Sequence, residues 1–326
     1  MSASRPHILV AQPVHADVLD RLQQVGTVHM NPGPEPWAAH ELRAHLAQAE
    51  ALMAFMTERV DAELLSHAPR LRVLACALKG YDNFDVAACA RAGVQLSFVP
   101  DLLTEPTAEL ALGLAIAAGR HLLAGDAAVR TGQFAGWRPQ FYGVGLHGAT
   151  VAVVGLGRVG RAIVDRLQGF GCARVLGVDP QAQDPRTEAV SLAQALRDAD
   201  CVFLAVPLLP HTLHLLNAPL LAQAKPGQVL VNVGRGSVVD ESAVVEALNA
   251  GRLGAFAADV FACEDWGLVD RPREVHPALR EHPRTVLTPH LGSAVATVRR
   301  AIEHRAADNL LAALAGQALL DPVPLS

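Results

Sequence analysis

The chain has 326 residues, room for about two domains at the usual ~150 residues each. Its 51% hydrophobic and 18% charged content is that of a packed α/β protein, which excludes a disordered or fibrous chain. A net charge of -5 without any basic stripe argues against a nucleic-acid partner.

Five cysteines, Cys76, Cys89, Cys172, Cys201 and Cys263, are dispersed with no CxxC pair and no metal-type spacing. They read as free thiols in a reducing compartment, so a cytoplasmic protein without a metal is expected. The opening stretch MSASRPHILVAQPVHADVL has no long apolar run, and the most apolar helix candidate, 110–118, is about half a bilayer in length. No membrane association is expected.

From His7 short apolar runs alternate with helical stretches. Strands are predicted at 7–11, 51–55, 71–76 and 94–98, with helices at 16–24, 61–67 and 85–92. Repeated βα of this kind predicts a parallel sheet covered on both faces. Next comes 104–122, with Thr104 as a cap and Pro106 in the first turn. It is apolar almost all round and is therefore expected to be buried on every side. A loop region, 131–146, follows. Beyond it lie further predicted strands at 201–207, 228–234, 254–261 and 286–290, a helix capped by Asp240 and running to Asn249, and a last helix over 294–315.

The sequence VAVVGLGRVG, 151–160, organises the rest. Four apolar residues lead straight into Gly155, Gly157 and Gly160, and a helix is predicted from Arg158. In that setting GxGxxG is a dinucleotide-binding turn: a tight turn, a close backbone approach to pyrophosphate, and a helix pressed onto its own strand. Asp179 ends the next predicted strand, where a carboxylate can accept from both ribose hydroxyls of an adenosine and repels a 2′-phosphate.

Ligands of open α/β sheets bind beyond the carboxyl ends of the strands, so polar residues there are the chemical candidates. Arg235 lies between Gly234 and Gly236 and offers a planar fork for an oxyanion, or is simply a surface arginine in a glycine turn. Glu264 and His290 can form a carboxylate-oriented imidazole, although a single histidine among 14 is more often structural. Lys79, beside Gly80, can present an ammonium to an anion or be a solvated loop lysine. Arg299 reads by itself as a helix-surface charge.

GLGRVG, the strand-end Asp179, NVGRGSVVD, ADVF with Glu264, and TPHLGS resemble the D-isomer-specific 2-hydroxyacid dehydrogenase family in order and spacing, over essentially the whole chain. Longer phrases, MAFMTERVDAELL, CALKGYDNFDV, FVPDLLTEPTAELALGLA, GWRPQFYGVGL, ADVFACEDW and TPHLGSAV, resemble its phosphite (phosphonate) dehydrogenase branch. The resemblance implies two doubly wound parallel-sheet domains. A flavodoxin-like substrate domain would be built from 1–100 and 291–326, and a Rossmann NAD-binding domain from 101–290.

It implies oxidation of phosphite with NAD by a homodimer. Arg235 would orient the substrate, with His290 as base and Glu264 as its partner. Lys79 would be a second substrate cation, and Gly80, Met56, Trp137, Tyr142, Ser293 and Arg299 would line or support the site. The cofactor would contact Thr107, Gly155, Leu156, Gly157, Arg158, Val159, Gly160, Asp179, Pro180, Pro207, Val233 and Asp259. The stretch around Asp179 departs from that branch, and Arg174 and Arg186 lie near enough in sequence to admit some NADP use. Two other readings remain open at this point: a 2-hydroxyacid dehydrogenase or glyoxylate/hydroxypyruvate-type reductase, and a non-catalytic NAD(H)-sensing protein.

Overall fold

A computed structural model describes residues 5–324. They fall into two compact units. One contains the chain up to Leu103, Trp266–Val269 and the stretch from Ala294 onward; the other contains Thr104–Asp265 and Asp270–Ser293.

In the first unit five parallel strands lie in the order Thr27–Met30, His7–Val10, Ala51–Ala54, Val73–Cys76, Gln95–Ser97. Numbered by sequence this is 2-1-3-4-5, the flavodoxin-like order. Ala51–Ala54 and Val73–Cys76 are buried at every residue, as central strands covered on both faces must be. Asp61 and Asp85 cap the helices that follow, accepting from the Leu64 and Ala88 N–H groups at 3.0 and 2.8 Å. The long helix Ala296–Leu314 packs on the central strands through Ile302, Ala306, Leu310 and Ala313, a spacing of three to four that makes one apolar face. The strand Thr27–Met30 and the helix Ala39–Leu46 are additions to the sequence reading.

The second unit holds seven parallel strands in the order Thr285–Leu287, Leu253–Ala258, Gln228–Asn232, Cys201–Leu204, Thr150–Val154, Arg174–Val178, Glu188–Ala189. This is the doubly wound Rossmann order extended by one edge strand. Sequence direction reverses between Thr150–Val154 and Cys201–Leu204, the crevice where such sheets take ligands. Separate apolar clusters cover its two faces.

The helix predicted over 104–122 is corrected in three respects. It runs Thr104–Gly119 and then breaks, because His121 takes a left-handed backbone (φ 53°), and Leu122–Arg130 continues at 62°. It is not buried all round, since Glu105, Glu109 and Gly113 are exposed. Thr104 is its first residue, not a cap, and its hydroxyl is buried without a hydrogen-bond partner among the described residues. No single helix among the described residues is long and apolar enough to cross a membrane.

One buried acid sets an acid-stability expectation. Asp184 accepts from the Arg186 backbone N–H at 3.0 Å and from its Nε and Nη2 at 2.9 and 2.6 Å. The guanidinium outweighs the effect of burial and holds the Asp184 carboxyl down from 3.8 to about 2. A carboxyl depressed in the folded state contributes stability above its unfolded pKa, and that contribution is lost as pH falls through the folded value. Asp184→Asn is therefore expected to lower Tm at neutral pH and to flatten the fall of Tm between about pH 4 and pH 2. Parallel curves for the two proteins would contradict the assignment.

Candidate functional site

The strand Thr150–Val154 ends at the glycine loop, and the helix Arg158–Leu167 starts directly after it. A Cβ at Gly160 would stand 1.8 Å from the Gly155 carbonyl oxygen, so only glycine lets the helix cross its own strand this closely. At Gly157 nothing lies within 4 Å of the Cβ direction. The helix has no side-chain cap there, and its first N–H groups and positive dipole end face that open side. Leu156 and Gly160 are buried beneath the loop, Val159 is half-buried, and Gly157 and Arg158 are exposed.

Val154 pairs in register with Val178, which sets Asp179 beside the loop. The Asp179 carboxylate accepts from the Leu156 N–H at 2.8 Å and from the Gln181 and Ala182 N–H groups at 2.8 and 2.9 Å. Burial pushes its pKa up, but these donors outweigh burial and hold it below the usual carboxylate value. They occupy three of roughly four acceptor positions. Room is left for about one ribose hydroxyl, where the sequence reading expected two. The loop's open face, uncapped helix start and adjacent carboxylate fit a dinucleotide.

Arg174 begins the strand whose far end carries Asp179, roughly 16 Å away at ~3.3 Å per residue, and is forked onto Glu188 at 2.9–3.1 Å. Arg186 is committed to Asp184 and Asp165. The cation that stands near Asp179 is Arg161, which donates to the carbonyls of Leu156 and Gln183.

Further along the same edge of the sheet, Val233 is buried at the end of Gln228–Asn232, and Pro207 follows Cys201–Leu204 and is exposed. Arg235 follows Val233 in an extended backbone, with Nη1 donating to the Gly234 carbonyl at 3.0 Å. A Cβ at Gly236 would stand 1.8 Å from the Phe261 carbonyl carbon, so the Arg235 turn presses backbone to backbone against the turn carrying Glu264. The Ser237 N–H donates to the buried Asp265 carboxylate at 2.6 Å and ties the same two turns. Sequence reasoning missed Asp265, which has no local signature.

Glu264 accepts from the Phe261 N–H at 2.8 Å and meets His290 Nδ1 at 2.8 Å. With Glu264 ionised, Nδ1 carries the proton and Nε2 keeps its lone pair. His290 has a left-handed backbone (φ 56°), a strained conformation for a non-glycine residue that the surroundings must hold. Asp259 supplies much of that hold. Its carbonyl accepts from the His290 N–H at 2.9 Å, and its carboxylate accepts from Thr288 Oγ1, Leu291 N and Gly292 N at 2.6–2.8 Å. Burial pushes the Asp259 carboxyl up. Thr107 donates to the Gly292 carbonyl at 3.3 Å, and Ser293 follows, half-buried. Pro180 is exposed. Trp137 and Tyr142, on the loop before Thr150–Val154, are 77% and 76% exposed among the described residues.

The first unit carries its own set at strand ends. Met56 follows Ala51–Ala54, in a turn where Asn83 Nδ2 donates to the carbonyls of Phe55 and Glu58 at 3.0 and 2.6 Å. Lys79 and Gly80 follow Val73–Cys76 and are half-buried, with Cys76 Sγ donating to the Gly80 carbonyl at 3.4 Å. Arg299, expected as a surface charge from its position alone, is mostly buried, its guanidinium carbon 5.2 Å from the centre of the Phe55 ring. Burial lowers its pKa.

Residues 112–292 match the family described as D-isomer specific 2-hydroxyacid dehydrogenase, NAD binding domain. The chain is 32% identical over 323 residues to a glyoxylate reductase of Pyrococcus furiosus, covering 96% of this chain and 94% of that protein. A solved structure from Thermus thermophilus is similar with a TM-score of 0.89 and 34% identity, covering 98% of this chain and all of that one. The NADPH-dependent glyoxylate/hydroxypyruvate reductase of Sinorhizobium meliloti, solved with NADP and malonate, is similar with a TM-score of 0.86 and 31% identity, covering 98% and 97%.

Proposed function

The chain belongs to the D-isomer specific 2-hydroxyacid dehydrogenase family, and on that premise we propose that it oxidises phosphite to phosphate with NAD. What supports this substrate most is the cation set. Within the first unit Lys79 follows the strand Val73–Cys76 and Arg299, on the helix Ala296–Leu314, lies against Phe55, and a compact dianion needs more positive charge than a monocarboxylate does.

NAD, when bound, supplies the hydride acceptor; Gly155–Gly160 and Asp179 would hold it. Arg235 is the substrate-orienting cation of the second unit, and Lys79 and Arg299 are the candidate substrate cations of the first. The P–H bond breaks with its electron pair leaving as hydride while a water oxygen bonds to phosphorus. His290 Nε2 takes the proton that this water loses, and Glu264 stabilises the imidazolium that results. Asp259 keeps the imidazole on its strained backbone.

A second reading, reduction of glyoxylate or hydroxypyruvate, is favoured by the names of the relatives. In that reaction the same Arg235 and His290 serve, the histidine donating a proton to the carbonyl oxygen. Phosphite carrying deuterium on phosphorus separates the two: transfer of the label to the reduced nicotinamide is expected, and no transfer contradicts phosphite oxidation.

Cofactor choice is tested at Asp179. Asp179→Ala removes the carboxylate that repels a 2′-phosphate, so the ratio of kcat/KM for NADP over NAD is expected to rise about tenfold. An unchanged ratio contradicts the ribose assignment.

We further propose that a second copy covers the exposed apolar side chains Leu122, Leu123, Val129, Phe134, Trp137 and Tyr142, which gather on one stretch of the second unit. Sedimentation at the mass of a homodimer is expected.

A further inference from the structure

Arg299 lies near the start of the helix Ala296–Leu314 and is held from two sides within the first unit. Its Nε donates to Glu303 Oε1 at 3.3 Å, and its guanidinium rests on the Phe55 ring. Glu303 is a buried carboxylate, 3% exposed. Its other oxygen accepts from the His15 backbone N–H at 2.8 Å and meets His15 Nδ1 at 2.7 Å. Phe55 is fixed in turn: its N–H donates to Glu58 Oε2 at 2.6 Å, and its carbonyl accepts from Asn83. The two terminal nitrogens of Arg299 have no hydrogen-bond partner among the described residues. Four N–H donors of a mostly buried guanidinium are thus left, in a planar fork that can donate to an oxyanion.

A buried carboxylate that served only to dock the helix would gain most by pairing with the whole fork. Glu303 instead engages Arg299 through Nε alone, so the arginine is anchored without its terminal donors being consumed.

We infer that Glu303, seated by His15, is a positioning residue that holds Arg299 against Phe55 so that its terminal N–H groups meet the oxyanion substrate. This rests on the reading of Arg299 as a substrate cation. Glu303→Gln keeps the shape and removes the charge. It is expected to raise KM for the oxyanion about 5-fold to 20-fold, with kcat within about 2-fold and NAD affinity unchanged.

A purely structural role would not move the second readout, chemical rescue. Arg299→Ala should lose substrate affinity and regain part of it when guanidinium chloride is added at millimolar concentration, because Glu303 and Phe55 still form a seat for the ion. In the Arg299→Ala, Glu303→Gln double variant the rescue should vanish. Equal rescue of both overturns the role of Glu303. A wild-type KM in Arg299→Ala instead overturns the reading of Arg299 as a substrate cation. The assays use whichever of phosphite or glyoxylate the protein turns over, so a failure of the phosphite reading leaves this test intact. A third readout needs no turnover. The protected arginine Nε–H resonance that disappears in Arg299→Lys should also disappear in Glu303→Ala, which removes the acceptor altogether, and its persistence there overturns the inference.

Discussion

Replacing His290 with Ala is expected to lower kcat by roughly 10²- to 10⁴-fold, the usual contribution of a positioned acid–base group. NAD affinity should be nearly unchanged. The expectation comes from how the imidazole is held. Glu264 takes Nδ1 at 2.8 Å, which leaves Nε2 as the available base, and Asp259 fixes a left-handed backbone that a non-glycine residue disfavours. Glu264→Gln should cost less than His290→Ala, because an amide oxygen can still accept from Nδ1 but no longer stabilises an imidazolium. Steady-state rates with cofactor binding followed by fluorescence check both variants. Turnover close to wild type in His290→Ala would remove it from the chemistry.

Lys79→Ala is the second large effect. Losing one charge-assisted contact costs roughly 1.5–3 kcal/mol, so apparent phosphite affinity should weaken from about 10-fold to somewhat over 100-fold. The lysine is half-buried at the end of Val73–Cys76, and the link from Cys76 Sγ to the Gly80 carbonyl holds its turn. The loss should fall on KM for the anion. An unchanged KM would place Lys79 outside the site and weaken the case for a dianion.

Local chemistry made part of this molecule legible from its residues. GxGxxG between a strand and a helix, the acidic residue ending the next strand, and the cap Asp240 depend on neighbours within a few positions. The parallel pairing of both sheets follows from βα alternation. Other features depend on partners far away in sequence. Glu303 is separated from His15 by 288 residues, and only its four-residue spacing from Arg299 could have drawn notice. Gly236 reads as a turn glycine until Phe261 is seen against it. The strand Thr27–Met30 has no apolar run, because an edge strand buries little. The break after Gly119 is set by His121, whose type carries no helix-stop signal as strong as glycine or proline.

Purified protein should be mixed with NAD and phosphite, and separately with NADH and glyoxylate, while reduced cofactor is followed by absorbance. Phosphite-dependent reduction of NAD with phosphate formed in equal amount, and at a higher kcat/KM than for glyoxylate, is the predicted result. Rapid glyoxylate-dependent oxidation of NADH with no response to phosphite would contradict it.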